Sequence, residues 1–142
     1  MTAITSAKGR DRRNTHALRI EDYVVASGQT IPQGALVAIN TSSREAYNAT
    51  DAASRKFVGI AAETVVGDGV KRIKVEFGHD ELLTISANIL DSHVNSHVCV
   101  LDNDGCDTAT AATNDVFVGV VRKLESATTA WIGVRVVGFA SS

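Results

Sequence analysis

The chain has 142 residues, 44% of them apolar, and its formal net charge at pH 7 is −2. This length has room for one domain with a modest core. The near-neutral charge gives no general drive toward nucleic acid or an anionic membrane surface. No apolar run approaches the roughly 20 residues that cross a bilayer, and the N-terminus lacks the apolar region of a signal peptide, so we expect synthesis in a cytosol.

The first seventeen residues differ in composition from the rest of the chain. Basic residues lie among Gly, Asn, Thr and Ser, and Ile4 is the one large aliphatic residue after Met1. Such a segment buries too little apolar surface to offset the entropy lost when it is ordered. We therefore expect residues 1–17 to form a flexible basic arm and residues 18–142 to form a single β-domain.

The rest of the chain alternates short apolar runs with turn residues. Alternation is clearest between positions 71 and 77, where Ile73, Val75 and Phe77 share one face. The predicted strands are 18–25, 35–39, 45–48, 56–64, 71–77, 82–86, 97–101, 107–110, 116–124 and 130–139. Residues 51–55 and 88–93 are the candidates for short helical turns. This spacing predicts an all-β fold, a single antiparallel β-sandwich or barrel.

An internal two-fold echo runs through the sequence. Phe57-Val-Gly-Ile60 and Phe117-Val-Gly-Val120 lie 60 residues apart, and Gly78 and Gly138 have the same offset. The runs 35–39 and 96–100 correspond loosely, with a shift of one residue. We interpret the echo as two copies of one β-unit that share a single core. The glycine of each Phe-Val-Gly run is predicted to mark a β-bulge or a close backbone approach.

Cys99 and Cys106 are predicted to be free thiols, because a cytosol disfavours disulfides. A hairpin turn at 102–105 separates them in the sequence. Depending on the register, Cys106 would face Asn103 or Leu101, and in neither case do the two cysteines lie opposite each other. A disulfide requires Cα atoms within about 7 Å.

Two patterns of metal-ligating residue types occur in the sequence, and neither has the spacing of a metal site. His93 and His97 are four residues apart, but the segment runs into a predicted strand, where the rings would lie about 13 Å apart. That separation is too large for one metal ion. The run 102–107 resembles the start of a calcium loop, but the Glu that ends such a loop would fall on Thr113. We predict a hairpin turn at 102–105, no metal site and no cofactor.

Residues 79–81 place an imidazole beside two carboxylates at the end of a predicted strand. General acid–base chemistry needs such groups in a cleft, whereas three adjacent polar residues at a strand end are typical of a solvated turn. The chain also lacks the serine elbow of hydrolases and the glycine loops that bind phosphate. The sequence therefore predicts no catalytic residues and a protein that is not an enzyme.

The basic arm is the strongest candidate for contact with a partner. Its cations could dock on an acidic neighbouring surface and become ordered there, or they could stay solvated. Nucleic acid is not indicated, because no aromatic residues interleave with the cations. Trp131 opens the last predicted strand and is interpreted as a core or interface anchor. The candidate partner-binding residues are Lys8, Arg10, Arg12, Arg13, Arg19 and Trp131.

Four segments between residues 31 and 75 follow a recognisable pattern. Ile31-Pro-Gln-Gly-Ala-Leu-Val-Ala-Ile39 is followed by Phe57-Val-Gly-Ile-Ala61, a Gly-Asp-Gly loop and Val70-Lys-Arg-Ile-Lys-Val75. Together these segments resemble the small phage capsid cement proteins, also called head decoration proteins. The resemblance extends over roughly residues 18–139.

The resemblance implies a structural protein of the virion, made in the cytoplasm of a host bacterium. It would bind the outer surface of an icosahedral head and bridge subunits of the major capsid protein. It would also associate with itself, as a homotrimer or else as a dimer, without nucleic acid or membrane. A small receptor- or carbohydrate-binding β-module of a phage tail or host surface is the alternative.

Overall fold

The computed structural model describes residues 3–134, and the regular structure there is almost entirely β. The strands follow one another as short segments, most of them close to the predicted bounds. In chain order they are β1 (Arg12–Arg13), β2 (Arg19–Val24), β3 (Thr30–Ile31), β4 (Leu36–Asn40), β5 (Ala46–Asn48), β6 (Arg55–Ala61), β7 (Val65–Val66), β8 (Arg72–Phe77), β9 (Asp80–Ile85), β10 (His97–Val100), β11 (Gly105–Thr108), β12 (Phe117–Leu124) and β13 (Thr129–Val134).

The first half of the chain forms a five-stranded sheet in the order β2-β8-β6-β4-β5, with antiparallel neighbours. Val25, directly after β2, forms a parallel bridge with Ala46 at the start of β5. This bridge brings the two outer strands together, so the sheet closes into a ring that we call the first barrel.

The second half forms a ring with the order β9-β13-β12-β10-β11. It closes through a parallel pairing of β9 with β11, in which Thr84 and Ile85 lie opposite Gly105 and Cys106. We call this ring the second barrel. The expected all-β fold is confirmed, but the pairing is not wholly antiparallel. A ring with an odd number of strands cannot alternate in direction throughout, so one neighbouring pair must be parallel.

The 60-residue echo extends to the strand pairing. The bridge between Val25 and Ala46 has its counterpart, 60 residues later, in the pairing of Ile85 with Cys106. Each Phe-Val-Gly run also carries a β-bulge. The register shifts where β6 meets β4 and again where β12 meets β10. The predicted bulges are therefore confirmed, whereas Gly138 lies outside the described residues.

The glycines at the two bulges are required by close backbone approach. Gly59 has a φ of 147°, and a Cβ there would lie 2.8 Å from the carbonyl oxygen of Glu76. A Cβ on Gly119 would overlap the carbonyl oxygen of Gly133. Any side chain at either position would push neighbouring strands apart.

The buried apolar residues form two clusters where the sequence indicated one core. The smaller cluster lies inside the first barrel and includes Val37, Val58 and Ile73. The larger cluster fills the second barrel and also takes in side chains of the first, including Leu36 and Phe57. On β4, neighbouring side chains point to opposite faces, so one face fills the first barrel and the other packs against the second.

Smaller elements account for the remaining differences from the prediction. A 3₁₀ turn at Asp91–His93 lies within the predicted helical turn 88–93, whereas 51–55 is an irregular turn that leads into β6. A second 3₁₀ turn covers Thr15–Ala17. Of the last predicted strand, residues 135–139 lie outside the described part. Within residues 3–134 no helix has the length and apolar character needed to span a membrane.

We predict that Gly119→Ala lowers the free energy of unfolding by about 3 kcal/mol, because the added methyl group overlaps the backbone of β13. Urea denaturation of the wild type and the variant measures this change. Gly9→Ala is the matched control, since a Cβ there meets no atom within 4 Å. Equal stabilities of the two variants would contradict the close approach at the bulge.

Candidate functional site

The N-terminal segment, residues 3–17, lies against both barrels. The β1 strand within it pairs antiparallel with β9, and the backbone N–H of Lys8 donates to the carbonyl oxygen of Gln33 at 2.8 Å. The backbone N–H of Ile4 donates to Oδ1 of Asn103 at 2.9 Å, and Nδ2 of that asparagine donates to the carbonyl oxygen of Ile4 at 3.0 Å. In the structure the segment is placed by polar contacts and strand pairing, and Ile4 packs against the smaller apolar cluster. That the segment is flexible stays a prediction.

Two cations of the segment converge on Asp104. Nζ of Lys8 lies 2.7 Å from Oδ1 of Asp104, and Nη2 of Arg10 lies 2.9 Å from the same atom. Nε of Arg10 also donates to the carbonyl oxygen of Gly34 at 2.7 Å. The Arg10 side chain is only 2% exposed. Asp104 follows β10 in the second barrel and Gly34 precedes β4 in the first, so Arg10 ties the two barrels together.

Arg12 joins two further carboxylates. Its Nη1 donates to Oε1 of Glu76 at 2.7 Å, and its Nε lies 2.9 Å from Oε1 of Glu81. Glu81 is almost wholly buried and also bonds Nε2 of His79, whose side chain is 0% exposed. A buried carboxylate is costly unless it is paired and hydrogen-bonded. Arg12 therefore supplies a counter-charge, and His79 a hydrogen-bond partner, for the buried carboxylate of Glu81.

Arg13 connects the segment to the tryptophan that the sequence singled out. Nε of Arg13 lies 3.1 Å from Oδ2 of Asp80, and its guanidinium carbon stands 4.6 Å from the centroid of the Trp131 ring. The indole N–H donates to Oε1 of Glu125 at 2.9 Å. Trp131 thus anchors the N-terminal segment of its own chain.

Arg19 stands apart from this arrangement. It begins β2 on the exposed part of the strand, where it lies opposite Phe77. Among the described residues it makes no ion pair. The structure therefore brings together five of the six candidate residues and leaves Arg19 in solvent, while contact of any of them with a partner stays a prediction.

The acidic half of this arrangement was missed at the sequence level. Residues 79–81 were interpreted as a solvated turn, but His79, Asp80 and Glu81 are 1%, 7% and 1% exposed. That interpretation is corrected. A signal was present in the alternation of β9, because Glu81 has the parity of Leu83 and Ile85, which point into the core. A carboxylate on a core face indicates a buried partner cation.

A cavity of about 190 Å³ lies beneath the segment, lined in part by Arg10, Arg12, Glu76 and Glu81. Oε2 of Glu81 and Nδ1 of His79 are buried and have no hydrogen-bond partner in the described part of the chain. The cavity is therefore lined by both signs of charge. Within residues 3–134, no group of three or more His, Cys, Asp and Glu side chains has an arrangement that could hold a metal ion.

The turn between β10 and β11 is a hairpin turn, as predicted. Oδ1 of Asp102 accepts the backbone N–H groups of Asp104 and Gly105 at 2.8 and 3.2 Å. Val100 lies opposite Cys106, a register that differs from both of those considered for the hairpin. Cys99 and Cys106 are free and buried. Burial is the main cause that raises the pKa of Cys99 to about 12, and it also raises the pKa of Cys106.

The Asp104 carboxyl has a pKa below its usual value. Burial alone would raise this pKa, but the hydrogen bonds and charges of Lys8 and Arg10 outweigh burial and lower it. The ionised form of Asp104 is therefore the one that holds the segment in place.

No protein-family model matches this chain, and no curated protein matches it.

We predict that Arg10→Ala lowers the free energy of unfolding by about 3 kcal/mol, because Asp104 and the Gly34 carbonyl lose a buried donor. Arg19→Ala is the matched control and should change stability by no more than about 0.5 kcal/mol. Urea denaturation of both variants measures the difference. Similar losses in the two variants would show that burial of Arg10 does not distinguish it from an exposed arginine.

We also predict that the contribution of Asp104 to stability disappears in acid. Because its pKa is lowered in the folded protein, this contribution is complete above the unfolded value of about 3.9 and is lost as the pH falls through the folded value. The stability difference between the wild type and Asp104→Asn should be constant from pH 7 to about pH 5 and should shrink below about pH 4. Thermal denaturation across this range measures it, and a difference that grows in acid would refute the assignment.

Proposed function

We propose that the protein is a structural capsid cement protein that binds the outer surface of an icosahedral phage head and bridges subunits of the major capsid protein. The proposal rests on one observation. The two sequence motifs that carry the resemblance pair with each other in the first barrel, and the second barrel repeats this pair. The Gly-Ala-Leu-Val run leads into β4, which begins at its leucine, and the Phe-Val-Gly-Ile run lies in β6; the two strands pair through a bulge. The second barrel repeats this bulged pair in β10 and β12.

The N-terminal segment supports this proposal because its contacts with both barrels join them to each other. A cement protein acts by linkage, since a ligand that binds only the assembled shell stabilises that state, by an amount that grows with the logarithm of its concentration relative to its dissociation constant. A bridging protein can hold neighbouring capsid subunits together only if its own parts do not separate. The ties from Arg10 to Gly34 in one barrel and to Asp104 in the other meet that requirement.

Trp131 favours the structural role over the carbohydrate-binding alternative. A sugar-binding platform needs an aromatic face open to solvent. Here the guanidinium of Arg13 lies over the ring, and Glu125 accepts the indole N–H. The ring is therefore engaged within the chain and is a poor platform for a sugar.

The proposal is tested by counting copies of the protein in purified virus particles from the source of its gene. Quantitative mass spectrometry of density-purified particles gives the ratio of this chain to the major capsid protein. A ratio of the order of one supports the cement role, because each capsid subunit would then have a bridging partner. Absence from particles, or only a few copies in each, would refute it, and reproducible binding on a glycan array would then favour the binding module.

A further inference from the structure

Apart from the Val25–Ala46 bridge that closes the first barrel, the outer edge of β2 has no strand against it within residues 3–134. β2 is the outer strand of its sheet and pairs with β8 on one side. The N–H of Val25 points toward β8, because it donates to the carbonyl oxygen of Lys71, and the N–H of Ala26 points the other way, to Ala46. Antiparallel pairing alternates along a strand, so the backbone groups of Ile20 and Asp22 also point away from β8. Among residues 3–134, no backbone group pairs with them.

The matching edge of the second barrel is filled. β9 is the counterpart of β2, and Asp80 and Leu82 are the counterparts, 60 residues later, of Ile20 and Asp22. On β9 these positions are covered by β1, with Arg13 opposite Asp80, and the N–H of Leu82 donates to the carbonyl oxygen of Asp11 at 3.0 Å. The second barrel therefore provides one example of such an edge with a strand added to it, and that strand is a short extended segment that carries arginine.

The side chains along the open edge favour the same kind of occupant. Glu21 is the counterpart of Glu81, the carboxylate that takes Arg12, but Glu21 makes no ion pair with any residue from 3 to 134. Its charge and that of Asp22 are felt nearby, because they add to burial in raising the pKa of Tyr23. Ile20 is 56% exposed beside these residues.

Space for an additional strand is present next to the edge. A groove of about 500 Å³ lies between the end of β2 and the β4–β5 hairpin, and charges of both signs line it, Asp22 and Glu45 together with Arg44 and Arg72. It borders the Asp22 end of the open edge, so an extended segment on that edge would reach it.

We propose that the β2 edge, residues 19–23, binds an extended segment of a partner protein by antiparallel strand addition, with a basic side chain of that segment opposite Glu21. Main-chain hydrogen bonds would supply affinity and the Glu21 ion pair would set the register, as in other cases of strand addition. The proposal holds whether or not the partner belongs to a capsid shell.

The chain itself supplies a probe for this edge. A capped synthetic peptide of residues 8–17 contains the β1 sequence, and in the register seen on β9 it would place Arg12 opposite Glu21. Titration of this peptide into the ¹⁵N-labelled full chain should shift the amide signals of Ile20 and Asp22 and slow their hydrogen exchange. For so short a segment we expect a dissociation constant on the order of 1 mM. A peptide of the same composition in scrambled order is the control for charge alone.

Two variants test the contacts separately. Glu21→Gln should weaken binding of the peptide by about threefold, since an exposed ion pair is lost, whereas Asp91→Asn, which changes an exposed carboxylate on the second barrel, should leave it unchanged. Asp22→Pro removes an N–H that the β2–β8 ladder does not use, and it should abolish protection at the edge. Circular dichroism checks that each variant folds, and Glu21→Gln tests the proposal if the proline variant does not.

Four results would overturn the proposal. Shifts centred on Leu82 would show that the peptide exchanges with β1, and equal binding of the scrambled peptide would show that charge alone attracts it. Absence of any shift at several millimolar peptide would show that the edge does not accept a strand. Protection of Asp22 that rises with protein concentration before any peptide is added would show that a second copy occupies the edge. None of these results depends on virus particles, so they leave the cement proposal to its own test.

Discussion

The fold depends on carboxylates that can stay buried only because the N-terminal segment lies against them. Glu81 and Asp104 belong to the second barrel and are among the most enclosed charged groups in the described chain. Removing an ion from water costs several kcal/mol unless a counter-ion and hydrogen bonds replace the solvent. Lys8, Arg10 and Arg12 provide both. The N-terminal segment has little apolar surface and is held in place by its ion pairs with these carboxylates of the second barrel.

The two barrels share one pairing scheme but differ at one edge. Both close through a parallel contact near the end of their first strand, and both carry a bulge at a Phe-Val-Gly run. On the second barrel β1 covers the outer edge of β9, whereas the corresponding edge of β2 has no strand against it in the described part of the chain. Within residues 3–134, β1 therefore covers one of two edges that the internal repeat makes similar. That asymmetry is a property of the fold and does not depend on any assumed function.

Sequence reasoning found the basic side of the candidate site but not the residues of the same chain that these cations contact. Lys8, Arg10, Arg12, Arg13 and Trp131 were recognised as contact residues, and the structure brings all five into one arrangement. The carboxylates that pair with the four cations lie between 64 and 96 positions away along the chain, as the pairs Arg12–Glu76 and Lys8–Asp104 show. Local composition cannot reveal such complementarity, so these cations were assigned to an external surface. The parity of Glu81 on β9 was the one local sign that a cation was needed inside.

The sequence by itself determined the strands, the repeat and the bulges, because these follow from alternation of side chains and from glycines that no other residue can replace. Ten predicted strands have counterparts, and the missed strands β1, β3 and β7 are two residues long, too short to show a period. Only the tertiary structure decided how the units close and what the N-terminal segment does. Ring closure depends on the number and direction of neighbouring strands. Docking of the segment depends on charges that lie far apart in the sequence and that folding brings together. Neither is a property of any local stretch of sequence.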